Sequence, residues 1–460
     1  TRLQGDWSSD VCSSDLVGEL ISISKIAVDY VRNERRPYFL RIETYRLEAH
    51  SKGDDDRDPE EIFEARKLDP LHYLERYIKK DALPGIQKLA QIEVDKAASK
   101  ALLDEAPSLA MLRVDTPERM NPEENTFDVG TQLPYLESLN QGLMQAFAQD
   151  DEVFIIGEDI LDPYGGAFKV TRGLSTKFPE RVFTSPISEA AIVGLATGAA
   201  LKGKKAVAEI MFGDFIALAS DQLINHASKY PWMYNGQVEL NLVVRTPMGG
   251  RRGYGPTHSQ SLEKLFIGIP NLLVVAPSIL HNPGELLKRC ILQQKAPVLF
   301  IEYKLLYGRK AIQNPCWKTR RTKRRYETLH LSLSDFTTPD AVIITYGGSV
   351  EMAMQAAEEL MVEDEIIVDL VVPAMIAPIL MGEITPIVKP SRVIATVEEG
   401  TLRGGWGAEV VAQLAEQSAI SGKKVVRIAA PDCPVPSSKE LELKMMHDSK
   451  TIAKKIRLQL

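Results

Sequence analysis

Cysteine is scarce in this chain. There are four in 460 residues, at Cys12, Cys290, Cys316 and Cys433, and no two stand in Cys-x-x-Cys spacing. That excludes a disulfide framework and points to a reducing, cytoplasmic setting. Long apolar runs are also absent, so no membrane-spanning helix is expected. No charged start leads into an apolar centre, as a secretory signal would require. Neither sign of charge dominates: the net charge is −7. It favours solubility and gives no general reason to bind nucleic acid. What is present is ordinary for a globular protein, with 44% apolar and 25% charged residues in a chain long enough for two or three domains.

Residues 5–16, GDWSSDVCSSDL, have no hydrophobic period and look like translated sequencing adapter. Residues 1–16 are therefore set aside as an artefact, the alternative being a genuine tail, and the biological sequence is expected to start near Val17, cut on its N-terminal side. Three regions follow. In 17–122, a helix ends near Arg32, residues 38–47 alternate like a strand, and Pro59 and Asp69-Pro70 open helices. Residues 87–105 read as a surface helix and 107–130 as a polar linker. In 131–310, apolar runs at 153–156, 206–211, 240–244, 272–275 and 298–301 read as buried strands. Helical segments at 134–149, 188–202, 215–230 and 283–293 lie between most of them. That alternation predicts an α/β fold with a parallel, doubly wound sheet. Residues 311–338 contain the basic run KTRRTKRR and read as a solvated linker. Residues 339–460 repeat the pattern as a smaller α/β domain, with strands at 341–346, 366–371, 392–397 and 425–429 and helices at 350–361 and 406–417.

The richest segment is 185–203, SPISEAAIVGLATGAALKG. Ser188 is a good N-cap and Gly203 a good stop, which puts Glu189 in the first turn of a helix. Ala190, Gly194 and Gly198 fall on one stripe, so something is expected to pack closely there. Alone, Glu189 is an acidic first-turn residue favoured by the helix dipole, which is common. Its neighbours shift the balance. Phe215 follows a strand directly, at the kind of junction where α/β sheets place ligand contacts, although a lone aromatic there is more often core. The glycine-rich loop RTPMGGRRGYGPTHSQ, 245–260, begins at a strand end and closes near His258. A loop histidine needs no function, but this setting raises the case for a proton donor or acceptor.

Taken together, PISEAAIVGLATGAALKGKKAVAEIMFGDF, ASDQLINHASKYPWMYNGQ, THSQSLEKLFIGIPNLLVVAPS, EYKLLYGRK, GEDILDPYGGAFKVTRGL and VEEGTLRGGWGAEVVAQLAEQ resemble the β subunit of thiamine-diphosphate-dependent 2-oxo acid dehydrogenases of the pyruvate and branched-chain type. RPYFLRIETYRLEAHSKGDDD and PEEIFEARKLDPLHYLERYI resemble the tail of the α subunit. The resemblance implies a transketolase-like pyrimidine-binding domain at 131–310, a transketolase-like C-terminal domain at 339–460 and a remnant of an α-type diphosphate-binding domain at 17–122. It implies thiamine diphosphate as cofactor. Glu189 would share a proton with a pyrimidine nitrogen, Phe215 would pack on that ring, and Glu158 would also bind the cofactor. His258 would act in acyl transfer to lipoyl-lysine. Arg46 and His50 would approach the diphosphate, His50 also as a catalytic residue, and Ser51 matches a serine phosphorylated in some relatives. Implied partners are a lipoyl-bearing dihydrolipoyl acyltransferase and further subunits, in a dimer or an α2β2-like assembly.

The family's Gly-Asp-Gly magnesium signature occurs nowhere in the chain, so the magnesium ligands are expected in the part cut off upstream and no metal ligand is assigned here. Ala49 replaces a glycine, Thr257 replaces a glutamine, and His281-Asn282-Pro283 replaces the usual acidic residue, so no monovalent-cation site is carried over. The leading expectation is oxidative decarboxylation of a 2-oxo acid with acyl transfer to a lipoyl domain. Acetoin cleavage or a transketolase-like transfer on the same scaffold is the second, and a catalytically silent assembly module the third.

Overall fold

The structure, a computed structural model, describes residues 8–12, 17–49, 56–104, 133–312, 316–322, 324–333 and 338–460. The chain divides into two compact units, 1–112 and 113–460. No helix among the described residues is long and apolar enough to cross a membrane.

In the first unit β1 (Ser8–Cys12) pairs in parallel with β2 (Tyr38–Ile42), and α1 (Val17–Glu34) connects them. The backbone thus forms a strand where the sequence had been set aside as lacking any period. Helices α2 (Pro59–Arg66) and α3 (Pro70–Glu75) start alike: Asp58 and Asp69 accept the amides of Glu60 and Leu71, ahead of a proline at the first helical position. Helix α4 (Leu83–Leu103) begins before the expected residue 87, with Pro84 in its first turn. None of these helices fully buries a residue, and Ile21, Phe63, Leu71 and Leu89 remain exposed.

The second unit opens with α5 (Tyr135–Gln149), β3 (Val153–Gly157), α6 (Leu174–Lys177), β4 (Val182–Thr184), α7 (Glu189–Leu201) and β5 (Lys205–Glu209). It continues with α8 (Tyr230–Met233), β6 (Leu242–Met248), β7 (Leu273–Val275), α9 (Pro283–Gln293) and β8 (Val298–Tyr303). These strands pair in parallel in the order β4-β3-β5-β6-β8-β7. Strands β3, β6 and β8 are buried at every position, as strands covered on both faces must be.

The second half of this unit holds β9 (Lys318–Arg321), β10 (Thr328–Ser332), β11 (Ala341–Thr345), α10 (Val350–Asp364), β12 (Val368–Pro373), β13 (Met375–Ala377) and α11 (Met381–Val388). It ends with β14 (Val393–Thr401), α12 (Trp406–Glu416), β15 (Lys424–Ala430), α13 (Lys439–Met445) and α14 (Ser449–Arg457). The smaller sheet runs β15-β14-β11-β12-β10-β9, with β10 and β9 antiparallel. Strand β13 leaves it to pair antiparallel with β7 at the edge of the larger sheet, so the two halves share a sheet as well as a core.

Three expectations need correction. Residues 311–338 are more than a linker, because they supply β9 and β10. The basic run is tied down by carboxylates near and far in sequence: Arg321 pairs with Glu327 at 2.9 Å and Arg324 with the distant Glu383 at 2.7 Å. Residues 215–230 are no single helix. A tight turn spans Gly213–Ala219, a wide turn Gln222–Ala227, and α8 follows. Close approach forces the break: a Cβ on Gly213 would come within 2.3 Å of Met248 Cγ, so this corner must turn sharply against β6. Nor does any described residue pack tightly on the glycines of the small-residue stripe of α7. A Cβ on Gly198 would meet nothing within 4 Å, and one on Gly194 only Gln222 Cγ at 3.8 Å.

Candidate active site

Helix α7 begins as its sequence predicts. The Ser188 hydroxyl accepts the Ala191 amide at 3.4 Å, leaving Glu189 at the first helical position and 6% exposed. A carboxylate here is favoured by the free amides of the helix end. No ion pair among the described residues holds it. Facing it is Glu158, the first residue after β3, which is 9% exposed. Burial raises the Glu158 carboxyl above the usual carboxylate range, and the charges of Glu189 and Asp159 add to this, while the Ser188 amide opposes it. Glu158 Oε1 is buried with no hydrogen-bond partner among the described residues. A buried polar atom without a partner asks for a ligand or water. Two carboxyls thus converge at the C-terminal edge of the sheet, where α/β folds bind ligands.

Helix α7 packs along the 213–219 turn, which carries Phe215. Phe215 is half-buried, and its ring meets the His258 imidazole edge to face at 5.2 Å and 80°. Phe212 completes the cluster, 4.8 Å from His258 and 5.8 Å from Phe215. His258 Nδ1 lies 3.0 Å from the Thr257 hydroxyl, so the threonine at this position bonds directly to the ring beside it.

Beneath the cluster sits Lys304, fully buried, its Nζ 5.3 Å from the Phe212 ring and donating to the His258 carbonyl at 2.9 Å. Burial pulls its ammonium down to about 8, and the Asp214 and Glu399 carboxylates resist that fall. Asp214 Oδ1 accepts the Gln260 amide at 3.2 Å and its side-chain nitrogen at 2.8 Å, while Oδ2 is buried unpaired. Behind these, Arg245 bridges Glu302, at 2.6 and 2.7 Å, and Glu209, and the Tyr307 hydroxyl donates to Glu302 at 2.7 Å. Sequence reasoning missed Phe212, Lys304, Asp214 and this buried triad. Only Lys304 carried a signal, as a lysine between two apolar runs.

The expected residues of the larger unit thus gather as two pairs, Glu158 with Glu189 and Phe215 with His258, joined through the packing of α7. Arg46 belongs to the first unit and is exposed, its carbonyl accepting the Arg57 guanidinium. His50 and Ser51 lie outside the described residues. Where the family has an acidic residue stands His281, fully buried with Nδ1 accepting the Ser278 amide at 3.0 Å; burial and the nearby Arg321 lower it to about 3.

Chemically, the arrangement suits a flat nitrogen heterocycle. It offers a carboxyl that can share a proton, a second carboxyl with an unmatched oxygen, and an aromatic face. It offers nothing for a metal: no group of three His, Cys, Asp or Glu side chains that could hold an ion occurs among the described residues.

Comparison with known proteins gives matches along most of the chain. Family models match in three places: the dehydrogenase E1 component at 11–107, the transketolase pyrimidine-binding domain at 131–310 and the transketolase C-terminal domain at 334–452. The chain is 34% identical to the mitochondrial pyruvate dehydrogenase E1 component subunit beta of Saccharomyces cerevisiae, over 70% of this chain and 87% of that protein. It is 33% identical to the 2-oxoisovalerate dehydrogenase subunit beta of Bacillus subtilis, over 66% of this chain and 90% of the relative. It is 32% identical to the acetoin:2,6-dichlorophenolindophenol oxidoreductase subunit beta of Cupriavidus necator, again over 66% and 90%. Among solved structures, a split-gene transketolase described as an inactive beta4 tetramer superposes with a TM-score of 0.57, covering 71% of this chain and 98% of that one. At 21% identity it shows the shared fold alone.

Proposed function

This chain belongs to the thiamine-diphosphate-dependent 2-oxo acid dehydrogenases, as a β-type decarboxylating component, and from that membership we propose that it decarboxylates a 2-oxo acid and passes the acyl group to a lipoyl-bearing acyltransferase. The observation that carries this reading is the buried carboxyl of Glu189 at a helix tip, with the unmatched Glu158 oxygen facing it.

In this reading the site holds the pyrimidine half of thiamine diphosphate. The bound cofactor supplies the electron sink for loss of carbon dioxide. Glu189 holds a proton at a pyrimidine nitrogen, Glu158 accepts a hydrogen bond through Oε1, and Phe215 offers its ring for stacking. Together the aromatic cluster and α7 orient the ring and exclude water. In acyl transfer the lipoyl disulfide accepts an electron pair. That pair is the one left behind when carbon dioxide departs: the S–S bond breaks, one sulfur takes the acyl group as it leaves the cofactor that would carry it, and the other sulfur takes a proton from His258. Magnesium and the diphosphate are assigned to an α-type domain, approached by Arg46 and His50. The exposed apolar surface of the first unit supports reading 17–122 as part of such a domain. Domain limits of 131–310 for pyrimidine binding and 339–460 for the C-terminal domain belong to the same proposal. So do a dimer or α2β2-like assembly and a cytoplasmic setting. Exposed Ile187, Leu195 and Leu218 around the open stripe of α7 support the assembly, and the free thiols of Cys290 and Cys433 suit the reducing setting.

To test it, the chain is combined with an α-type subunit, thiamine diphosphate, magnesium and a 2-oxo acid, and carbon dioxide release is followed. The parent should turn over, and Glu189→Gln should lose about 100-fold or more, the usual scale for a proton-transfer group. A variant as active as its parent would reject the reading. The acetoin:2,6-dichlorophenolindophenol oxidoreductase relative favours acetoin as a second substrate class, and competition between acetoin and 2-oxo acids separates the two.

A further inference from the structure

The loop that ends at His258 is fixed from the other half of its unit. Gly249, Arg251, Gly253 and Gly255 take positive φ angles of 95°, 70°, 76° and 80°, so the backbone coils instead of extending β6. For Arg251 this conformation is costly and persists only where surrounding contacts impose it. The contacts are on hand. The Arg251 amide donates to Glu442 Oε1 and the Gly253 amide to Glu442 Oε2, each at 2.7 Å. Gly250 donates its amide to Glu399 Oε1 at 2.5 Å, and the Arg251 guanidinium donates to the His447 carbonyl at 2.6 Å. A Cβ on Gly250 would come within 2.6 Å of Glu442 Oε1, so the glycine is what admits the carboxylate.

Glu442 is 0% exposed, and both its oxygens are engaged by this loop. It is set in α13, whose start is capped by the Ser438 hydroxyl accepting the Leu441 amide. Hydrogen bonds to a buried carboxylate are stronger than those between neutral groups, and losing the acceptor leaves two amides without partners. Lys304 closes the device. Its Nζ donates to the His258 carbonyl, and its own carbonyl accepts the Arg252 guanidinium at 2.7 Å. The loop is thus clamped at 250–253 by the C-terminal half and at 258 by Lys304.

We propose that Glu442 is a positioning residue for His258: through the Arg251 and Gly253 amides it sets where the imidazole meets the acyl acceptor, and so governs acyl transfer more than decarboxylation. The inference rests on the functional reading given above. Its test uses the chain assembled with an α-type subunit and compares two rates: acyl transfer to a free lipoyl domain, and carbon dioxide release with ferricyanide as electron acceptor. In Glu442→Gln the ratio of transfer to release should fall by roughly 10- to 100-fold, since an ångström's misplacement carries a cost of that order. Glu442→Asp, which keeps the charge, should recover part of the ratio, and it serves as the second variant if the glutamine protein folds poorly. His258→Ala should show the same selective loss, and the double variant Glu442→Gln/His258→Ala should be no worse than His258→Ala alone. Equal loss of both rates, or losses that add in the double variant, would make Glu442 a purely structural residue and overturn the proposal. If His258→Ala is impaired and Glu442→Gln is not, the positioning role alone falls. If His258→Ala transfers acyl groups as well as the parent, the histidine's assigned function fails, and this inference with it.

Discussion

Phe215 illustrates how much a single side chain does at this site. It is half-buried and touches His258 and Phe212 edge-on, which leaves ring surface for a stacked ligand. Aromatic contacts of this kind contribute about 0.5–1.5 kcal/mol beyond the area they bury. Phe215→Ala should therefore weaken thiamine diphosphate binding about three- to tenfold, as read by titration calorimetry on the assembled protein. Unchanged affinity would place the ring in the core alone. The placement of Glu189 and Phe215 on their elements was legible in the sequence because those signals are local, a serine cap before a glutamate and an aromatic just after a strand, whereas their roles came from the family resemblance. Lys304 and Glu442 were not, because each acquires its meaning from a partner far along the chain. Lys304 meets His258 and Glu442 meets Arg251, and nothing near either residue in the sequence announces the pairing.

At the scale of elements, helices α5 and α9 show how closely this fold is packed. A Cβ on Gly142 would come within 2.2 Å of the Gly284 carbonyl oxygen, and one on Gly284 within 1.9 Å of the Ser138 carbonyl oxygen. The helices cross backbone to backbone, and Ser138 adds a bond by accepting the Gly284 amide at 3.1 Å. Gly142→Ala should cost roughly 1–3 kcal/mol or more, because the helices must separate to admit a methyl group. The measurement is the denaturant midpoint of the variant against the parent, and an unshifted midpoint would mean that the crossing is loose. The apolar runs marked most strands of both sheets correctly. They failed at 215–230, where an apolar period fits one helix but the approach of Gly213 to Met248 imposes a tight turn. Periodicity records which face is buried and says nothing of what arrives there from elsewhere.

For the larger unit as a whole, the contact between its two halves is acidic. Glu263 from the first half is buried beside Glu398 and Glu399 from the second, with the Tyr346 hydroxyl donating to it at 2.6 Å. Burial raises its carboxyl to about 7, with the neighbouring charges adding and Tyr346 opposing. The folded protein therefore holds this proton more tightly than the unfolded chain, whose glutamate titrates near its ordinary value of 4.5. Stability from this group is present below that value and is lost as pH rises to about 7. Glu263→Gln cannot ionise, so its stability relative to the parent should improve between pH 5 and pH 8. Urea unfolding at the two pH values checks this, and a constant difference would show that Glu263 ionises as freely in the fold as outside it.

The sequence by itself determined the layered α/β character of the larger unit, the cap and first turn of α7, and the residue types that gather at the candidate site. Each follows from short-range pattern: burial period, capping chemistry, glycine before a turn. Only the tertiary structure decided that residues 318–321 and 328–332 join a sheet, that β13 crosses into its neighbour, and that the loop before His258 hangs from Glu442. Those features depend on backbone amides and carboxylates meeting across many intervening residues. A hydrogen bond is chosen by proximity after collapse, and chain order alone carries no record of it.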